Sequence, residues 1–436
     1  MTHTLLAPSW WTVGTRRWLF TLCLTLWLGS QSFVSTAEAQ TQWPQFLGPE
    51  GNAHASSTKL PTVVTEDLVR WKTPIHGKGW SSPVIWGDDI WLTTATPDGH
   101  KLSVVCIDKP TGRIVLDKLL FEVEKPSEIH DFNSYASPTP VLEGGKAWIS
   151  FGSYGTACLA GRSGEVLWQR RDLPCEHFRG PGSSPILFEN LLIFHMDGFD
   201  FQYVVALDKE TGRTVWKVDR QVDYGTENGD FKKAFCTPTI IEVDGQPQLI
   251  SPTSKACLAL DPRTGKEIWR IRYKEFSATV RPVYGHGLVF INTGFGKAAL
   301  HAVDPTGQGD VTETHIKWSA AKGIPSKPSH VLVDDLLFMV HDGGAATCFE
   351  ATTGKQLWQE RLGGNFTSTP LYADGKLWFF SQEGKIKVLK ASREFEELGE
   401  SQLGDGFMAS PAVSDDVLYL RSRSNLYRIG SGKVGS

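Results

Sequence analysis

The residues best suited to chemistry fall in short polar runs, each just upstream of a Ser/Thr-Pro step or its equivalent. EIHDFNSYASP supplies Glu128, His130, Asp131, Asn133 and Tyr135; CEHFRGPGSSP supplies His177 and Arg179. YGTENGDFKKAFCTP supplies Glu227, Asn228, Asp230, Lys232 and Lys233, HGKGWSSP adds His76, Lys78 and Trp80, and Arg281 directly precedes Pro282. A second set, His195, Asp197, Asp200, His341 and Asp342, falls further along the repeats that contain them. Imidazole, carboxylate and amide groups at this density suit the binding of a polar ligand or a cation. They do not spell a reaction: the sequence has no HExxH, no EF-hand loop, no Gly-x-Ser-x-Gly elbow and no phosphate-cradling Gly-x-x-x-x-Gly-Lys-Ser/Thr loop. No catalytic residue and no metal ligand is therefore assigned. A formal charge of −4 over 436 residues, without a long Lys/Arg run, gives no footprint for nucleic acid.

These runs are positioned by a repeat. Ser/Thr-Pro or a worn version, an apolar pair and a tight turn recur with anchors at Pro83, Pro140, Pro185, Ile240, Pro282, His330, Pro370 and Pro411, at intervals of 40 to 57 residues. That is the length of one four-stranded blade, so eight anchors predict eight blades. A second motif follows each anchor by about thirty residues, reading ALDKETGRTVW to Trp216, ALDPRTGKEIW to Trp269 and CFEATTGKQLW to Trp358. Worn copies end at Leu116, Trp168, Trp318 and Leu398. Asp and Thr suit the capping of a turn, Gly accepts positive φ, and Trp is expected between neighbouring blades. The anchor at Pro411 has no such strand after it, whereas LVRWKTP carries a Trp71 with no turn before it. The Trp71 strand is therefore expected to complete the last blade, closing an all-β, eight-bladed propeller and removing its long edges.

The Asp-x-x-Thr-Gly-Lys-x-x-Trp motif, set within eight repeat units, resembles the pyrroloquinoline-quinone (PQQ)-like repeat superfamily over residues 66–430. That superfamily includes quinoprotein alcohol and sugar dehydrogenases and the envelope propeller BamB. The resemblance implies two functions. One is a binding or scaffold module of the cell envelope, with a protein partner or a small ligand at the channel mouth. The alternative is a PQQ- or metal-dependent dehydrogenase for alcohols or sugars, with PQQ on an aromatic floor and calcium held by carboxylate and amide groups. For the second, Trp80 would mimic the floor and Glu227, Asn228 and Arg281 the polar ligands, but the vicinal Cys-Cys pair common in those enzymes is absent from the sequence. The binding module is the preferred reading, with Trp80, His130, Asp131, Asn133, His177, Arg179, Glu227, Asn228 and Arg281 on one rim.

The first 39 residues have secretory form: Arg16 and Arg17, an apolar stretch over 18–29, and the small-x-small site Ala37-Glu38-Ala39. Twelve apolar residues are short for a transmembrane helix. A cleaved signal, by the general or the twin-arginine route, and a periplasmic or extracellular location are expected. Residues 40–65 read as a strap along the propeller surface and 431–436 as a tail. Of the six cysteines beyond the signal, Cys175 and Cys236 are the one pair considered for a bridge, with free thiols the stronger expectation.

Overall fold

The computed structural model describes residues 42–430. The expected signal segment and tail lie outside the described residues. Eight sheets, each with four antiparallel strands in meander order, follow one another around a ring. The innermost strands begin one to three residues after the Ser/Thr of the repeat: Val84–Trp86, Val141–Glu143, Ile186–Phe188, Thr239–Val243, Val283–Gly285, Val331–Val333, Leu371–Ala373 and Ala412–Ser414. We number the blades 1 to 8 in that order. Blade 8 draws its outer strand from the other end of the chain, Val69–Pro74 pairing antiparallel with Asn425–Ile429 and Trp71 opposite Arg428.

Burial follows from blades packing face to face. Second strands such as Leu191–Asp197 and Leu336–Val340 are buried at every position, because both faces meet a neighbouring blade. Outer strands such as Glu165–Arg170 keep the exposed/half-buried alternation of a rim. The core is accordingly a series of inter-blade layers, among them one joining blades 7, 8 and 1 through Trp378, Tyr419 and Ile107.

The Thr-Gly and Trp parts of the repeat lock successive blades together. Trp216 of blade 3 donates its indole N–H to the Pro262 carbonyl at 3.0 Å, in the turn of blade 4. Its ring lies so close to Gly265, φ +73°, that a Cβ there would come within 2.8 Å of it. Trp71 does the same to the turn at Lys109 and Gly112, Trp168 to Lys209 and Gly212, and Trp318 to Ala351 and Gly354. Trp216 and Trp269 are buried, but Trp168, Trp318 and Trp358 are only half-buried, since the outer strand leaves one side of the indole at the rim. The six described cysteines are buried and free, Cys175 lying against His177 and Cys236 against the Val280 carbonyl.

At the start of the innermost strands the repeat's Ser/Thr hydroxyls form a chain around the axis. The backbone N–H of Ser82 donates to Thr139 Oγ1, Thr139 to Ser184, Ser184 to Thr237, and beyond a gap Arg281 to Ser329, Ser329 to Thr369, Thr369 to Ser410 and Ser410 back to Ser82. The gap falls where Arg281 occupies the place that holds Ser or Thr in the other seven blades.

Arg281 serves the N-terminal segment instead. Its guanidinium donates to the Phe46 carbonyl at 2.6 Å and to Thr239 Oγ1 at 3.1 Å, and Gly51, φ +65°, lies flat against it. Trp43 exchanges two backbone hydrogen bonds with Ile85, Leu142 donates to the Pro44 carbonyl, and His54–Ala55 runs parallel to Tyr372–Ala373. Ile85, Leu142 and Tyr372 belong to the innermost strands of blades 1, 2 and 7, whose free edges face the axis. The segment therefore crosses the channel from blades 1 and 2, past Arg281 at the entry to blade 5, to blade 7. The sequence-based expectation is a strap along the propeller surface; the course the segment takes follows the inner edges of blades 1, 2 and 7. Apolar side chains at Trp43, Leu47 and Ala53, all under 3 % exposed, explain why it is drawn into the ring.

Candidate functional site

Above this crossing the channel opens as a cup of about 740 Å³. Phe46 borders it, together with all seven hydroxyl residues of the ring. The entry loops raise the wall. Residues 128–135 and 175–183 are stitched together by Asn133 Nδ2, which donates to the Arg179 carbonyl at 2.8 Å and the Pro181 carbonyl at 3.2 Å. Arg179 then grips Asp230 through Nε and Nη2, both at 3.1 Å, and Lys233 meets the same carboxylate at 2.8 Å. The three loops thus share one rim. Asn228 holds the third in shape, its side chain accepting from the Asp230 N–H at the start of a short 3-10 turn, Gly229–Phe231.

The wall is strongly aromatic. Trp80, Phe132, Phe231, Phe235, Phe276 and Phe295 border the cup, with Phe132, Phe231 and Phe295 exposed. The indole N–H of Trp80 donates to the Phe132 carbonyl at 2.9 Å, while Lys78 and Arg423 lie over its ring at 5.4 and 5.8 Å from the centroid. Lys327, paired with Asp342, stands 5.0 Å from the Phe132 ring centroid. On the other side of the mouth Phe231, Phe276 and Phe295 stack edge to face as one aromatic cluster.

Of the residues expected on the rim, Trp80, His130, Asn133 and Arg179 border the cup. Asp131 lies outside it, beside Phe178 in a shallow pocket, and the Glu227 side chain is fully exposed, reaching back to Lys232. Two placements are corrections. His177 is buried, its ring against Gly152 and Pro181, and burial pulls its pKa down to about 4. Its loop reverses at Gly180, so Arg179 reaches the cup and His177 does not. Arg281 is buried beside the crossing segment and takes no place on the rim, burial pulling its pKa down to about 10. His195 and Asp197 lie in a buried second strand, and His76 pairs with Asp117 at 3.0 Å on the surface. Sequence reasoning passed over the phenylalanines and Lys327, because it weighed polar residues and left the Phe of HDFNS, GDFKKAF and KEFSAT uncounted, although each stands in an entry loop.

Comparison with known proteins agrees with this architecture. The family described as outer membrane protein assembly factor BamB matches residues 296–424. A protein of that name from Legionella pneumophila (strain Paris) is 24% identical over 216 residues, covering 48% of this chain and 51% of its own, so the match spans about half the length of that relative. The crystal structure of BamB from Moraxella catarrhalis superposes with a TM-score of 0.58 at 14% identity, over 84% of this chain and all of that one. Quinohemoprotein alcohol dehydrogenase from Comamonas testosteroni superposes with a TM-score of 0.65 at 12% identity, over 91% of this chain and 82% of the enzyme. The chain is an eight-bladed β-propeller, similar in its C-terminal part to the BamB family.

The side chains of this propeller do not fit the cation that a quinoprotein places against its cofactor. Among the described residues no three His, Cys, Asp or Glu side chains gather to hold a metal ion. Glu227, Asn228 and Arg281 point respectively to solvent, to a turn and to the N-terminal segment, so they do not form a donor set.

The rim's Asp230 gives the propeller a defined acid response. The Arg179 guanidinium, seconded by Lys233, pulls its pKa down to about 2. Its unfolded value is about 3.9. The stabilisation is present in full above the unfolded pKa and is lost as pH falls through the folded one. The wild-type and Asp230→Asn proteins are expected to differ in urea midpoint at pH 5 and to converge between about pH 4 and pH 2. A difference that stays constant over that range would contradict the assignment.

Proposed function

We propose that this propeller is a binding module of the cell envelope, periplasmic or extracellular, whose working surface is the cup mouth. The observation that carries the reading is the wall itself: exposed Phe132, Phe231 and Phe295 together with Arg179, Lys233 and Lys327, and Lys78 and Arg423 over Trp80, around an opening closed at its far side by the chain's own segment. Exposed aromatics rimmed by charge mark interaction sites. The partial likeness to outer membrane protein assembly factor BamB supports a role in envelope protein assembly. The signal-like N-terminus supports the location.

Photo-crosslinking residues placed one at a time at Phe132, Phe295 and, as a control, Val215 on an outer strand test the surface. Adducts with one envelope partner are expected from the first two sites. Adducts from Val215 alone would move the surface elsewhere. The dehydrogenase alternative makes an opposite prediction. Purified protein supplied with PQQ and calcium is expected to reduce no dye with alcohols or aldoses, because no cation donor set stands at the mouth. Turnover lost in Trp80→Ala would reinstate it.

A further inference from the structure

The ring of hydroxyls at the bottom of the cup has an unmet donor capacity. Each of the seven oxygens already accepts a backbone N–H at 2.9 to 3.1 Å. None of the seven donates its own O–H to a protein acceptor among the described residues, although all are at least 96 % buried. A hydroxyl that accepts one hydrogen bond is polarised into a better donor of the next, and a buried donor left unmet is costly. All seven border the cavity, so what they lack is an acceptor supplied from inside it.

The eighth place decides the sign of that acceptor. Arg281 brings a buried guanidinium whose partners are the Phe46 carbonyl and a threonine hydroxyl, with no carboxylate in an ion pair with it among the described residues. Lys233, 3 % exposed, adds a second cation to the wall and shares Asp230 with Arg179. A cation entering the cup would meet oxygens with one lone pair already engaged and a wall on which, among the described residues, Arg179, Lys233 and Lys327 outnumber the one bordering carboxylate, Asp230, with Arg281 behind it. An anion would meet converging donors in a low-dielectric site, where charge-assisted hydrogen bonds are strongest.

We propose that the floor of the cup is a carboxylate site, and that the cup takes a monocarboxylate whose apolar or aromatic body rests against Phe235, Phe276 and their neighbours. A carboxylate offers about four lone-pair positions, fewer than the seven donors, so it engages a subset that includes Thr139 and Thr369 and leaves the others to water. Two sources share this chemistry: a free organic acid, and the C-terminal carboxylate of a polypeptide entering end first. The inference rests on the cup mouth being the working surface, and names what that surface admits.

Titration calorimetry on the full mature protein tests it with matched pairs. The first pair is 3-phenylpropionate and its amide; the second is a hexapeptide ending in leucine, as free acid and as C-terminal amide. In at least one pair the acid is expected to bind ten times more tightly or better than the amide, and the pair that shows this identifies the source. The Thr139→Val/Thr369→Val protein, its folding checked by thermal melting, is expected to lose the preference. A preference below tenfold in both pairs overturns the proposal using wild-type protein alone. So does a preference that survives in the double variant, or acetate binding as tightly as phenylpropionate. Should the acid preference be missing while Phe132 and Phe295 still crosslink a partner, the carboxylate floor falls and the binding-module reading stands.

Discussion

Arg220→Ala is expected to destabilise the protein by about 3–5 kcal/mol, the cost of leaving a buried charge without its partner. Arg220 and Asp197 are 1 % and 0 % exposed in their side chains and meet through two hydrogen bonds, Nε to Oδ1 at 2.9 Å and Nη2 to Oδ2 at 2.6 Å. Arg220 also reaches Ser251 in the next blade, whose hydroxyl contacts His195 Nε2 at 2.8 Å. The pair thus bolts blade 3 to blade 4 where the chain departs for the long loop that carries Asp230, Phe231 and Lys233 into the cup. The companion Arg220→Met/Asp197→Leu protein is expected to recover most of the loss, because removing both charges also removes their desolvation cost. Urea midpoints of the three proteins decide it. A double variant as unstable as Arg220→Ala would mean that the Ser251 contact, and not the stranded carboxylate, is what matters.

Trp216→Ala is expected to cost a similar amount, about 3–5 kcal/mol. The indole is 8 % exposed, donates to the Pro262 carbonyl and covers Gly265. Gly265→Ala alone adds three penalties: a Cβ 2.8 Å from that indole, a left-handed φ of +73°, and the same Cβ 2.6 Å from Val218 Cγ2. The second is worth about 1–2 kcal/mol for an L-residue. In the Trp216→Ala background the indole contact is gone, so the same substitution is expected to cost less, keeping the backbone share and the contact with the Val218 methyl. Equal costs of Gly265→Ala in both backgrounds, measured from unfolding midpoints, would show that the ring and the turn do not act as one joint.

The blade count and the closing strand were legible because each rests on a turn whose chemistry recurs. Asp and Thr ahead of a positive-φ Gly mark a structure that few other sequences build, and a Trp71 without such a turn left one strand to be placed. The segment WPQFLGPEGNAHAS has no period at all, so its path across the channel could not be read from it. The one clue lay elsewhere, in Arg281 standing where the repeat asks for Ser or Thr. Treating that arginine as a ligand to something external missed that it binds the chain itself. His177 was misplaced for a related reason. Within CEHFRG, which of His177 and Arg179 faces the axis depends on the reversal at Gly180, and polarity alone gives both equal claim. The phenylalanines that dominate the cup were present in the same loops, but an aromatic residue carries no mark of exposure until the loop's path is known.

The closing of blade 8 sets an order on folding. Val69–Pro74 is made early in synthesis, yet its partner strand Asn425–Ile429 comes some 350 residues later. Joining ends that far apart costs roughly (3/2)RT ln n, about 5 kcal/mol for an unstructured chain. The seven intervening blades reduce that span by folding from local hairpins, each bringing the two ends nearer. The early strand must therefore wait unpaired until the last blade exists. Its own segment is Thr-, Lys- and Pro-containing, a composition that discourages pairing with the wrong edge in the meantime. Docking of this strand is then expected to be the final and slowest step, and a chain lacking residues 425–430 to remain an open arc in which the flank of blade 1 stays bare.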